Sequence, residues 1–349
     1  MKTAKRVTRM LHVVFAALLV VACGGGGGGT TTPTVPATGI SITPANAELI
    51  AATVVNSVQI VEGISTLPGF LPGVAVNPAG GSFNYPDFFL KQLQWLPALA
   101  NQSNTGSLTG FVVPATVVDC TDPLIGGTAG TVTVSGDVAD PSLNTITAGD
   151  QFDLDFNACV LDGIELNGGM SLTVITIPPN FDGTPPFSVK LAAVLSGFSA
   201  NDAGFIVTGD GDMTIQLDAD TIGNLITVLS GTSLLASATG AAEQLTNFLF
   251  NIADNLVTGD YSVDLSGTIA TTALGGSVSF VTNLPFTGND NVANDPTAGE
   301  MHITTTADSS QERVTALTNG VDVMIEVDAD GDSSYETTIM TTWTALRTP

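Results

Sequence analysis

Phe152-Asp153-Leu154-Asp155-Phe156 sets three large apolar side chains on one parity and two carboxylates on the other. Successive side chains of a strand point to opposite faces, so the stretch reads as a strand with one buried and one wet face. The same period of two recurs outward from it. Val132 and Val134 alternate with threonine and serine before it, and Met170, Leu172 and Val174 follow it. Later come Val189, Leu191 and Leu195, then Met213, Ile215 and Leu217, then Val263 and Leu265, then Val278 and Phe280. The last run sets Val321, Val323, Ile325 and Val327 against Asp322 and Glu326. Strands this numerous, joined by Gly and Asp turns, predict a mainly β body over 110–349: a large antiparallel twisted meander, curled towards an open barrel to manage its edges.

Two stretches before this body have helical spacing. Ala47, Ile50, Ala51, Val54, Val58 and Val61 form one stripe, with Thr43 as N-cap, Pro44 at the first position and Gly63 as stop. Its polar face offers Glu48, Asn56 and Gln59 rather than Lys or Arg, which favours packing on the body over lying on a membrane. A second short helix, Asp87 to Leu96, would bury Phe89, Leu93 and Leu96 and stop at Pro97. Residues 40–109 are therefore expected to be a helical N-terminal region. Ala241, Leu245, Phe248, Ile252 and Leu256 fit a helix or a strand, and their strand neighbours favour a strand.

The chain holds 33 acids against eight Lys and Arg, and charged residues make up only 12% of it. Beyond residue 22 the basic residues are Lys91, Lys190, Arg313 and Arg347. A surface of that sign repels phosphate, so no nucleic acid is expected as partner, and divalent cations are favoured.

Lys2, Lys5, Arg6 and Arg9 precede an apolar stretch, Leu11 to Val21, closed by Val20-Val21-Ala22-Cys23. That is a charged n-region, a short h-region and a small residue before a cut, and the run is about half of the ~20 residues a spanning helix needs. The motif resembles the lipobox of bacterial lipoproteins. The resemblance implies that residues 1–22 are a signal peptide, that Cys23 is lipidated, and that the chain is held on a membrane; Gly24 resembles the sorting signal for the outer membrane. Several acyl chains on one cysteine anchor stably where one alone holds marginally. The glycine run from Gly24, then Thr30 to Thr32 and Pro33 to Pro36, make 23–39 a flexible tether that stiffens.

Cys120 and Cys159 are the remaining cysteines, both in strand context, and export makes a disulfide the economical reading. A metal or redox role is the alternative, without a CxxC or a histidine cluster beside it. Asp328-Ala329-Asp330-Gly331-Asp332-Ser333-Ser334-Tyr335-Glu336 lies between two strand-like runs. It is similar to the nine-residue calcium loop of integrin-type hairpins. The resemblance implies carboxylate ligands at Asp328, Asp330, Asp332 and Glu336 and a backbone carbonyl at Ser334. It departs at Glu336, where Asp is usual, and at Ser333, where Gly often sits. Calcium takes six to eight oxygens, which one acid-rich turn can supply in part; the alternative is a solvated acidic hairpin.

Other constellations are weaker. Asp210-Gly211-Asp212 reads as a turn, and His302 beside Glu300 reads as a residue on a sheet face, with no nucleophile elbow. Trp343 alternates with Ile339 and Thr341 and reads as a core anchor of the last strand. Cys120, Gly149-Asp150, Phe156 and Cys159, Leu166-Asn167-Gly168, Pro296 with Gly299, and the Asp328 loop with Trp343 together resemble uncharacterised proteobacterial lipoproteins. That resemblance implies an envelope address and no reaction. The expectation is a membrane-anchored envelope protein with a non-enzymatic binding or structural role towards an envelope protein partner. A carrier of a hydrophobic ligand, an acyl chain or lipid, is the alternative, since a packed sandwich and a lined cavity write the same apolar alternation. A carboxylate-based hydrolase is the minor one.

Overall fold

The computed structural model describes residues 35–36, 38–62, 96, 111–123, 125–138, 146–161, 163–179, 181, 183–202, 205–238 and 241–347. In chain order these form α1 (Ala47–Glu62), β1 (Phe111–Asp119), β2 (Ala129–Val138), β3 (Gln151–Leu161), β4 (Ile164–Thr176), β5 (Phe187–Asp202), β6 (Phe205–Ala219) and β7 (Asn224–Ala238). They continue with β8 (Ala241–Asn255), β9 (Asp260–Thr271), β10 (Gly276–Asn289), β11 (Ala293–Thr304), β12 (Gln311–Ala316), β13 (Asp322–Asp328), β14 (Thr337–Thr342) and α2 (Trp343–Arg347). All fourteen strands lie in one antiparallel sheet in sequence order, with β1 and β14 as its edges, so the meander stays open and is not closed into a barrel.

One face of the sheet carries the core. On β3, Phe152, Leu154 and Phe156 are buried while Asp153 and Asp155 are exposed, as their alternation predicts. The alternation then changes parity. Cys159 follows Phe156 as the next buried residue, Phe198 follows Leu195 on β5, and Phe248 follows Leu245 on β8. In each case the pairing register shifts at the same place. A β-bulge inserts one extra residue, which flips the parity of the side chains after it and bends the strand.

These bulges lie beside one another and form a crease across the sheet. Ala158, Gly168, Gly197, Gly211, Asn247, Gly267 and Gly299 all have positive φ along this line. At several of these positions the neighbouring backbone leaves no space for a side chain. A Cβ on Gly168 would lie 2.0 Å from the Gly197 carbonyl oxygen, and one on Gly211 2.0 Å from that of Ser233. Asp210-Gly211-Asp212 therefore lies inside β6 at the crease and is not the turn its composition suggested. The reason is that bulges leave amides outside the ladder, and these need acceptors. Asp210 accepts from Gly197 N, and Asp212 accepts from the amides of Thr232 and Ser233.

The helix α1 starts at Ala47, three residues later than Pro44. Thr43 to Asn46 form a turn in which the Asn46 side chain accepts from Thr43 N at 2.8 Å. Ala47, Ile50, Ala51 and Val54 are buried, and α1 packs on β13 and α2. The second expected helix lies outside the described residues except for Leu96, which is helical and buried. Thr38 and Gly39, the end of the expected tether, form with Ile40 a strap along β10: Ser277 N donates to Thr38 O, and Ile40 N donates to Ser277 O. Ile42 N then donates to the buried Ser310 Oγ at 2.7 Å. Trp343 is a core anchor as expected, but from the start of α2, edge-on to Phe286 at 5.6 Å. Segment Ala241–Asn255 is strand β8.

Candidate metal centre

Strand β13 ends with Val327 and Asp328 both fully buried, and Glu336 N returns to Val327 O at 3.1 Å to close the loop. Between them the backbone turns through two left-handed residues, Gly331 at φ 75° and Ser333 at φ 73°. Glycine takes such a conformation freely and serine at some cost. The departure of Ser333 from the loop consensus thus falls at a position where glycine suits the backbone.

Three donors fix the Asp328 carboxylate. Oδ1 accepts from Gly331 N at 2.7 Å, and Oδ2 accepts from Ser333 N and Gln311 Nε2, both at 2.8 Å. The Gln311 bond, helped by the loop amides, holds the carboxyl below its usual range, so it stays ionised. Asp332 Oδ1 accepts from Ser334 N at 2.7 Å, and Asp330 Oδ1 from Asp332 N at 3.3 Å. Each acid shapes the loop and still has free lone pairs.

One oxygen from each of Asp328, Asp330, Asp332 and Glu336 lies within 4.8 Å of all the others. Calcium–oxygen distances are about 2.3–2.6 Å, so ligands on opposite sides of an ion stand about 5 Å apart. The spacing fits an ion at the centre, with Asp328 as the buried floor and the other three acids exposed to solvent. Of the expected ligands, these four converge; Ser334 belongs to the same loop through its amide.

Arg313, beside the loop at Tyr335, is committed to other carboxylates. Arg313 pairs with Glu326 at 2.6 Å and with Glu300 at 3.9 Å, and its guanidinium lies 4.6 Å over the Tyr335 ring. His302 contacts Glu300 at 3.2 Å on the same outer face.

Cys120 and Cys159 are disulfide-bonded with Cα atoms 5.7 Å apart, joining the end of β1 to β3 across β2. Period-two patterning does not reveal one fully buried acid, Glu312, and three half-buried ones, Glu243, Asp254 and Asp290. Glu312 on β12 is fully buried with neither oxygen hydrogen-bonded, and burial pushes its carboxyl well above the usual range. Burial also raises Glu243 to about 7, and Asp254 and Asp290 to about 6, with the Asp290 charge adding to the shift at Asp254. A signal for Glu312 existed, because it shares parity with Val314 and Ala316 in Gln311–Ala316.

Comparison with protein families, with curated proteins and with solved structures finds no match.

Proposed function

We propose that the protein is a lipid-anchored envelope protein with a binding or structural role, in which one calcium ion stiffens the β13–β14 hairpin. The observation that carries the ion is the convergence of four carboxylate oxygens within 4.8 Å of one another. Like charges that close repel, and a divalent cation turns the repulsion into attraction. The ligands would be Asp328, Asp330, Asp332 and Glu336, with the Ser334 carbonyl as a fifth. The ion's role is structural, since its ligands come from a single turn.

The anchor reading rests on the Cys23 context, and the strap is consistent with it. The chain enters the sheet at Thr38, so a tether of about fifteen residues reaches at most about 50 Å. Outer-membrane address follows from Gly24 by the same resemblance.

Native mass spectrometry and peptide mapping of the protein, purified from envelopes without chelator, test both parts. The expected result is an N-terminal peptide beginning at an acylated Cys23 and one bound calcium. An unmodified Cys23 would overturn the anchor. A released lipid of several hundred daltons would move the function to carriage of a hydrophobic ligand in the apolar face.

A further inference from the structure

Glu312 stands on the inner face of β12 between Ser310 and Val314, and all three are fully buried. Its ladder partners, Ile303 on β11 and Val327 on β13, are fully buried aliphatic residues on the same face. Neither Glu312 oxygen has a hydrogen-bond partner, and burial alone raises its carboxyl, with no neighbouring charge contributing. A charge without a partner is costly in such a place, so the folded chain holds this side chain neutral.

The N-terminal strap and α1 enter the inner face beside it. Ile42 N donates to Ser310 Oγ at 2.7 Å, two residues from Glu312 on the same face. Ser310 Oγ donates in turn to Asp308 Oδ1 at 2.6 Å, and Asp308 also accepts from the Ser41 side chain. The chain then turns through Thr43 to Asn46 into α1, which packs on β13 and reaches α2, where Asn56 Nδ2 donates to Leu346 O at 3.2 Å. Strands β2 to β13 have a ladder on each side, whereas among the described residues the strap is hydrogen-bonded to the sheet and its turns at Ser277, Ser310 and Asp308. Local opening takes the least-held segment first.

We infer that the strap and α1 are a proton-locked clasp, closed on the inner face while the Glu312 carboxyl holds its proton and opened, with the rest of the sheet still folded, when that proton leaves. The carboxylate needs water, and lifting the strap and α1 supplies it without breaking a ladder. Opening also uncovers the apolar face around Glu312. The closed state binds the proton more tightly than the open one, so closure is favoured fully below the ordinary value of 4.5 and is lost as pH rises towards the raised folded value. The other titratable groups of this region do not act in that sense. Asp308, Asp328 and Glu48 accept from Ser310, Gln311 and Thr341. Asp308 and Asp328 are held low, so what they contribute is lost in acid rather than at alkaline pH. His302 and Arg313 lie on the outer face against Glu300 and Glu326.

Amide hydrogen exchange of the full chain, followed by mass spectrometry from about pH 5.5 to about 8.5 and corrected for intrinsic exchange, tests the clasp. The opening constant of the strap and α1 is expected to rise about tenfold per pH unit, the slope of a single proton. Strands β4 to β7 should exchange far more slowly throughout. Glu312→Gln, which cannot ionise, should flatten the slope whatever it does to the level of protection. Glu312→Leu, which removes the titration without leaving a buried polar group, should flatten it too and keeps the test decisive if the glutamine variant folds poorly. Strap and α1 exchange that is flat with pH in the native sequence, that keeps its slope in the variants, or that coincides with exchange of β4 to β7 would each overturn the inference. None of these outcomes depends on calcium or on the Cys23 anchor.

Discussion

Gln311 on β12 and Asp328 on β13 are ladder partners, and the Gln311 side chain also donates to Asp328 Oδ2 at 2.8 Å. The floor of the acidic loop is thus tied to the neighbouring strand as well as to its own turn. Outer partners that orient a ligand typically account for 10–100-fold in metal affinity. Gln311→Ala should weaken calcium binding about tenfold while leaving the sheet intact, read from terbium luminescence sensitised by Tyr335 and competed by calcium. An unchanged affinity would mean that the loop amides alone position Asp328.

Glu312, which is buried, and three half-buried acids set the pH dependence of stability. Glu312, Glu243, Asp254 and Asp290 all have folded-state values raised above the ordinary 4.5 or 3.8. Each binds its proton more tightly when folded, so its contribution is full below the unfolded value and is lost as pH rises through the folded one. The melting temperature should climb as pH falls from about 8 to about 5. Glu312→Leu should flatten that climb and stabilise the protein at the alkaline end by on the order of 1–3 kcal/mol. A Glu312→Leu protein with lower stability at alkaline pH would show that the carboxylate has a partner the fold requires.

The crease makes a second stability prediction. Gly211→Ala places a Cβ 2.0 Å from the Ser233 carbonyl oxygen at φ 131°, and strain of that kind costs at least about 2–3 kcal/mol. Gly149→Ala, at φ 96° with nothing within 4 Å of the new atom, should cost about 1 kcal/mol. Urea melts of the two variants give the difference directly, and equal midpoints would count against a rigid crease.

The disulfide closes a loop of 39 residues' separation. Replacing Cys120 and Cys159 together with serine should cost about 4 kcal/mol on the chain-entropy account. A loss below about 1 kcal/mol in urea melts would show that β1 to β3 are already held by their ladders.

Period-two patterning made the meander legible, because residues such as Phe152, Leu154 and Phe156 bury one face whatever their long-range neighbours. It covered only one half of several strands. Phe198 and Phe248 fall on the opposite parity from Leu195 and Leu245, since a bulge lies between them, and nothing local in the sequence separates a bulge from a turn. Asp210-Gly211-Asp212 has the composition of a turn for that reason, yet lies within β6. The acidic loop was legible because all four carboxylates lie within nine residues. Gln311 was not, because its bond to Asp328 depends on strand register. Glu312 escaped notice because an acid on an apolar parity runs against the cost of burying charge.

The most direct test of the calcium loop is calorimetric melting with increasing calcium, with magnesium as control and Asp330→Asn as the variant that loses a ligand. A ligand that binds only the folded state must stabilise it, by about 2.7 kcal/mol at a hundred times its Kd. The melting temperature is expected to rise with calcium, to rise less with magnesium, and to stay flat in Asp330→Asn. A wild-type melting temperature indifferent to millimolar calcium would contradict it, and would leave the Asp328 turn as an acidic hairpin held by its own amides.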